Sequence, residues 1–288
     1  MVRTTLPSLF VSHGSPMTAL QPGAAGAFMR ELGPALDAAF TRPQAIIVVS
    51  AHSLTHEPVL LAAERHETVH DFGGFPQPLY ELRYDAPGAP ALAPRAAQLV
   101  RDAGLPVQVV ADGGLDHGMW MPLRFAYPDV DVPVLPLAFP ANWSPRQLFA
   151  LGQSLAPLRS EGVLVLGSGS ITHNLRRVFA SGLHGPDDTP EIPESAAFRR
   201  WMHERSAARD WEALFDYRKQ APSAVDMHPT DEHLLPWYVA AGAGGREAVP
   251  QRLHASVSRG SLGMDAYAFG ASALPLAAAL DADAAVAA

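Results

Sequence analysis

Histidine carries most of the chemistry this sequence can do. Three of its 12 histidines come soon after short apolar runs. His13 follows Ser8–Ser12 in Ser-His-Gly-Ser-Pro, and His52 follows Ala45–Ser50 in Ser-Ala-His-Ser. His173 follows Gly162–Gly167, after a Gly-Ser-Gly-Ser turn. A neutral imidazole binds divalent metals through one ring nitrogen, and it also moves protons near neutral pH. Placed at the ends of three separate strands, such rings can converge on one point. The ordinary alternative is a polar loop residue satisfied by backbone, and no local motif such as H-E-x-x-H decides between the two. Gly14 and Pro16, flanking His13, shape the backbone there for a close approach.

Two further clusters share this chemistry. Gly113–Trp120 places His117 between Asp116 and Gly118, and Asp116 also reads as the cap of a helix starting near Gly118. His228-Pro-Thr-Asp-Glu-His233 combines two histidines with two carboxylates ahead of an apolar helix, Leu234–Ala241. Thr230 as N-cap with His233 at the third helical position would account for the threonine but for neither histidine. His70-Asp71-Phe72-Gly73-Gly74-Phe75-Pro76 suits either a loop over an aromatic substrate or a rigid turn. His70, Asp71 and Tyr84 are the candidate substrate-pocket residues, with Arg124 a weaker one. His56, His66, His184, His203 and His254 lie in polar surroundings and are expected to be exposed.

The elements that must position these residues are legible from the pattern. Ser8–Ser12, Ala45–Ser50 and Gly162–Gly167 read as strands buried on both faces, with Val107–Val110 and Val134–Ala138 as weaker ones, the latter interrupted by Pro136. Helices are expected over Ala24–Phe40, Ala91–Ala103, Pro145–Leu158 (Ser144 as N-cap, Pro145 at N1) and Glu194–Arg209. One or two late strands fit Ser256–Phe269. The alternation predicts an α/β fold: a mostly parallel or mixed central sheet flanked by helices, in a single domain over residues 1–288. The Ala- and Asp-rich tail, 278–288, is expected to fray. The Gly-, Pro- and Asp-rich segment Gly182–Pro193 reads as a loop or lid. In open α/β sheets ligands bind at the carboxyl ends of the strands, which is where His13, His52 and His173 fall.

Bulk properties remove several function classes. A formal net charge of −8 argues against nucleic acid, which needs clustered cations. There is no cysteine, so thiolate ligands, cysteine nucleophiles and disulfides are excluded. Lys219 is the only lysine and has no phosphate-binding glycines beside it, which disfavours Schiff-base chemistry. The apolar run Leu6–Val11 is too short for a signal peptide and no run spans a bilayer, so a cytoplasmic protein without membrane partners is expected, as a monomer or small homo-oligomer.

Six blocks, in order, resemble the class III extradiol ring-cleavage dioxygenases, and within them the 4,5-DOPA dioxygenase extradiol branch. They are Ser-His-Gly-Ser-Pro-Met (12–17), Val-Val-Ser-Ala-His (48–52), His-Asp-Phe-Gly-Gly-Phe-Pro (70–76), Gly-Leu-Asp-His-Gly (114–118), Gly-Ser-Gly-Ser-Ile-Thr-His-Asn-Leu (167–175) and Pro-Thr-Asp-Glu-His-Leu-Leu-Pro (229–236). The resemblance implies that His13, His52 and His233 hold the metal. It implies that His173 is the active-site acid and base, and that His117 contacts bound substrate and oxygen. In the wider superfamily the third ligand is a glutamate; here His233 matches it, with Glu232 adjacent. The implied cofactor is Fe(II), with Zn(II) also suited to three imidazoles, and the implied substrates are a catechol and dioxygen. His228 is left without a role. Two rival activities stand beside this reading, and a third alternative is a non-catalytic module that binds a metal or an aromatic. One is a zinc-dependent hydrolase at the same histidine site; the other is a serine hydrolase using Ser168 or Ser170, although that turn lacks the G-x-S-x-G pattern.

Overall fold

Along strand Ala45–Ser50 the side chains alternate between two cores, Ile46 and Val48 facing one and Ile47 and Val49 the other. A strand buried on both faces has no polar side to show, which explains why the run reads as continuously apolar. The same split holds in the neighbouring strands, where Leu9 and Val11 oppose Phe10, and Leu164 and Leu166 oppose Val163 and Val165. The structure is a computed structural model and describes residues 5–180 and 189–287.

Among the described residues nine strands form the central sheet: β1 (Ser8–Ser12), β2 (Ala45–Ser50), β3 (Leu54–Thr55), β4 (Val59–Leu61), β5 (Gln108–Val110), β6 (Val134–Pro140), β7 (Val163–Gly169), β8 (Gln251–His254) and β9 (Ala266–Phe269). Their order is β8-β9-β1-β7-β2-β6-β4-β5, with β3 added beside β6. The middle four, β1-β7-β2-β6, are parallel, while β9 against β1 and β4 against β6 run antiparallel. The sheet is therefore mixed around a parallel centre, as expected. Pro136, expected to weaken β6, marks a change of partner instead. Pairing with β2 ends at Val48↔Pro136, and Leu137 and Ala138 then pair with β4.

The longer helices are α1 (Gly23–Ala39), α2 (Ala93–Asp102), α3 (His117–Ala126), α4 (Pro145–Leu155), α5 (Pro193–Ala207), α6 (Leu235–Gly244) and α7 (Ala273–Ala287). One face of the sheet packs on α1, α3 and α7 through Phe28, Leu32, Trp120 and Leu276. The other packs on α2, α4, α5 and α6 through Val100, Leu151, Phe198 and Trp237. Ser144 caps α4 in a full capping box with Gln147. That helix stops at Leu155 and not at Leu158, because a 3-10 turn carrying Pro157 takes over. The tail expected to fray is helical as far as Ala287. Most of the expected lid, residues 182–188, and His184 within it, lie outside the described residues.

Candidate functional site

The carboxyl ends of β1, β2 and β7 lie side by side in the parallel centre, so the loops after them meet. His13 leaves β1 with its backbone N–H donating to Gly169 O at 3.0 Å. Its Nδ1 lies 2.9 Å from Ser168 Oγ, and Ser168 donates its only hydroxyl hydrogen to Gly118 O. Ser168 must therefore accept from His13 Nδ1–H, which leaves His13 Nε2 as a lone pair. His52 Nε2 lies 3.1 Å from that atom. Such an approach requires either a shared proton or a cation faced by both.

His233 is brought in from beyond the sheet. The turn before α6 reaches β7, where Ser170 N–H donates to His233 O at 2.8 Å. This approach depends on Gly169, because a Cβ there would lie 2.0 Å from the His233 carbonyl oxygen. His233 Nδ1 is 3.0 Å from Glu232 Oε1, so a carboxylate accepts from that nitrogen and the other is left over. One ring nitrogen each from His13, His52 and His233 falls within a mutual 4.8 Å, the spacing of ligands around one ion. Burial foremost, and then the neighbouring rings, holds His13 and His233 well below the ordinary imidazole range. His52 is lowered to about 4, again mainly by burial and then by His117. All three are thus neutral near pH 7, the form that binds metal. The residues present fit a divalent cation.

His117 arrives through a second, three-stranded sheet of Arg65–Thr68, Ala86–Pro87 and Gly114–Leu115. Parallel pairing of Thr68 with Leu115 carries the residues just beyond, Asp71 and His117, to the same place. Asp71 accepts the His117 backbone N–H at 2.8 Å, and its Oδ2 lies 2.9 Å from His117 Nδ1. Burial raises the Asp71 carboxyl, but the hydrogen bonds and charge of His117 outweigh it and hold the group at about 2. Asp116 caps α3 as expected, accepting from Met119 N–H, and also accepts from Ser50 Oγ at 2.6 Å and Ser53 Oγ at 2.7 Å. It thereby ties down the loop that carries His52. Gly118 has room for hydrogen alone, since a Cβ would come within 2.4 Å of Ser50 Oγ and 3.1 Å of the His13 ring.

His173 stacks on His233 with ring centroids 3.4 Å apart and an angle of 8° between planes. Burial, and then the proximity of His228, lowers it to about 4. A cavity of about 500 Å³ opens over His52, His117, His173 and His233, walled by Phe72, Phe75, Leu175, Val178, Phe179 and Leu262. That is ample for a single aromatic ring with a side chain.

The expected residues separate into two groups. His13, His52, His117, His173 and His233 come together, with Asp71 behind His117. His70 instead faces Leu82 O at 3.1 Å, and Tyr84 is buried in the core with its hydroxyl donating to Tyr127 O at 3.1 Å; neither lines the cavity. Ser168 and Ser170 are both buried, and their hydroxyls are spent on Gly118 O and Thr172 O, so neither is an exposed nucleophile. Thr230 does not cap a helix. Its hydroxyl donates to Glu232, and α6 begins only at Leu235, next to Pro236. His66, expected at the surface, is buried between Gly113 O and Val134 O, because Arg65–Thr68 alternates and turns His66 and Thr68 inward. The sequence offered Asp116 as a helix cap, Ser168 as a nucleophile and Glu232 as the neighbour of His233; that all three brace the histidines is visible only in the tertiary pairing.

Comparison with known proteins bears on this site. Residues 7–270 match the family model described as the catalytic LigB subunit of aromatic ring-opening dioxygenase. The chain is 36% identical over 264 residues to a 4,5-DOPA dioxygenase extradiol of Beta vulgaris, covering 91% of this chain and 96% of that one. It is 37% identical over 272 residues to a 4,5-DOPA dioxygenase extradiol of Escherichia coli K12, covering 92% and 94%. The crystal structure of an uncharacterised Escherichia coli K12 protein superposes with a TM-score of 0.74 at 32% identity, covering 92% of this chain and 100% of that one.

Proposed function

The chain belongs to the family of the catalytic LigB subunit of aromatic ring-opening dioxygenases, and from that premise we propose that it is a metal-dependent extradiol dioxygenase acting on a catechol. The observation that carries this reading is the convergence of the His13, His52 and His233 ring nitrogens beneath an aromatic-walled cavity that His117 and His173 also line. In it both atoms of dioxygen enter the substrate, and the ring opens beside the diol carbons to give a yellow semialdehyde.

His13, His52 and His233 would hold the metal. When bound, it supplies the Lewis acidity and open coordination positions that catechol and dioxygen chemistry requires, Fe(II) being the ion suited to the redox step. The protein's own part is positional and protonic. Ser168 and Glu232 fix which nitrogen His13 and His233 present, as hydrogen-bonded partners of ligating histidines do. Three neutral imidazoles leave the positive charge of the ion uncompensated, which favours a catecholate over a neutral phenol. His173, neutral and stacked beside the ligand set, takes a catechol hydroxyl proton as base and returns it as acid during rearrangement. His117, its Nδ1 held by Asp71, offers Nε2 to an oxygen of the reacting pair. Phe72 and Phe75 close apolar walls around the ring and keep water out.

The relatives' names specify DOPA, so DOPA heads a panel with simpler catechols, given to Fe(II)-reconstituted protein in air. A yellow product whose mass equals substrate plus two oxygen atoms is the expected result. No coloured product from any catechol would remove the reading.

A further inference from the structure

His228 lies in none of the roles assigned above, yet it is fully buried, on the segment that leads to His233. Its ring sits among aromatic residues, 5.3 Å from the Phe198 centroid and 6.4 Å from that of Tyr217. Nε2 lies 2.8 Å from Ile171 O, while Nδ1 has no hydrogen-bond partner among the described residues. A bare acceptor in such surroundings is costly, and a phenylalanine would fill the same space without it. A histidine at this position therefore calls for a reason, and the Ile171 carbonyl supplies one. Residues 170–174 are the tight turn that lifts His173 out of β7. Their polar groups are held from several directions: Ser170 N–H by His233 O, Ile171 N–H by Ser12 Oγ, and Thr172 Oγ1 by Ser261 O. The segment 226–228 grips the turn on both sides of His173. Met227 O accepts His173 N–H at 2.9 Å, Asp226 O accepts from Asn174 Nδ2 at 2.5 Å, and Ile171 O accepts from His228. Of these three grips only the last takes its donor from a side chain of the 226–228 segment; the other two draw their donors from the turn itself, His173 N–H and Asn174 Nδ2.

We propose that His228 is a positioning residue, whose Nε2–H anchors the Ile171 carbonyl and so sets the height and tilt of His173 against His233. The proposal rests on the reading of His173 as acid and base. It places the control of proton transfer in a residue that touches neither metal nor substrate.

The test compares H228F, which fills the space without a donor, with H228Q, which keeps a donor on a flexible stem, both as Fe(II)-reconstituted full-length protein. H228F is expected to keep its metal content and its KM for catechol while kcat falls about 10- to 100-fold, the scale set by a misplacement near 1 Å. H228Q is expected to regain most of that loss. In parallel, the histidine side chains of the zinc-loaded proteins are read by 15N NMR. H228F should shift the His173 ring signals and leave those of His13 and His52 in place. A kcat for H228F within twofold of wild type would overturn the proposal, and so would H228Q as impaired as H228F. Should H228F fail to fold, H228Q and H228M decide by the same criteria, methionine taking its place as the apolar variant. If wild type opens no catechol, the acid–base reading fails, while the NMR comparison still accepts or rejects the anchoring of His173.

Discussion

His13 gives its Nδ1–H to Ser168 and His233 turns its Nδ1 to Glu232, so the side chains beside the ligands decide which nitrogens remain to meet a metal. Ser168→Ala should therefore lower metal affinity by about 10- to 100-fold, measured by competition with a chelator. Unchanged affinity would show that His13 needs no such support. Asp71 plays the matching part for His117. Asp71→Asn keeps the size of the side chain but loses the charge and one of its two acceptor oxygens, and should lower kcat at least tenfold with metal content intact. His173→Ala should likewise abolish most turnover while the metal stays; loss of metal instead would place His173 among the ligands. The histidines were legible in the sequence because strand ends and glycine turns flank them. The bracing parts of Ser168 and Asp116 were not, because a hydrogen bond between residues 155 or 66 positions apart leaves no local pattern; Glu232 stands next to His233, but adjacency alone does not show that it accepts from that ring.

At the scale of elements, the site is where three parallel strand ends and one helix start are forced into contact. Gly169 is the pinch point. In Gly169→Ala a Cβ would sit 2.0 Å from a backbone oxygen, which cannot swing aside as a side chain can. The start of α6 must then retreat and carry His233 with it. The expected outcome is a loss of about 1–3 kcal/mol of stability by chemical denaturation, together with loss of metal. A variant that keeps wild-type metal content would show that His233 is not held by this contact. The central strands were readable because both faces of the sheet are covered and their runs are unbroken. The three-stranded sheet that delivers Asp71 and His117 was missed, since its strands are two to four residues long and too short for periodicity to register. The helix cap at Thr230 was misjudged for a related reason: Pro236 governs where α6 begins, and the preceding turn is shaped by contacts with β7.

Over the whole molecule, a negatively charged chain without cysteine gathers neutral histidine rings at the ends of its central strands, where they would hold a cation. That arrangement has a consequence for stability. In the unfolded chain a histidine titrates near 6.5, whereas burial lowers His52, His173 and His228 to about 4 in the fold. The folded state therefore binds fewer protons across that window. The stabilisation is complete above about pH 6.5 and is lost as pH falls toward 4. Melting temperature should drop steadily over this range, and a flat profile would mean that the rings are open to solvent. Among the described residues no helix is long and apolar enough to cross a membrane. The measurement that tests the central claim most directly is oxygen consumption by metal-stripped protein reloaded with Fe(II) or with Zn(II), mixed anaerobically with a catechol and then aerated. The account predicts one dioxygen consumed per ring opened with iron and none with zinc. Metal bound through His13, His52 and His233 with no oxygen uptake on any catechol, and hydrolysis supported by zinc, would contradict it and make the site that of a zinc hydrolase.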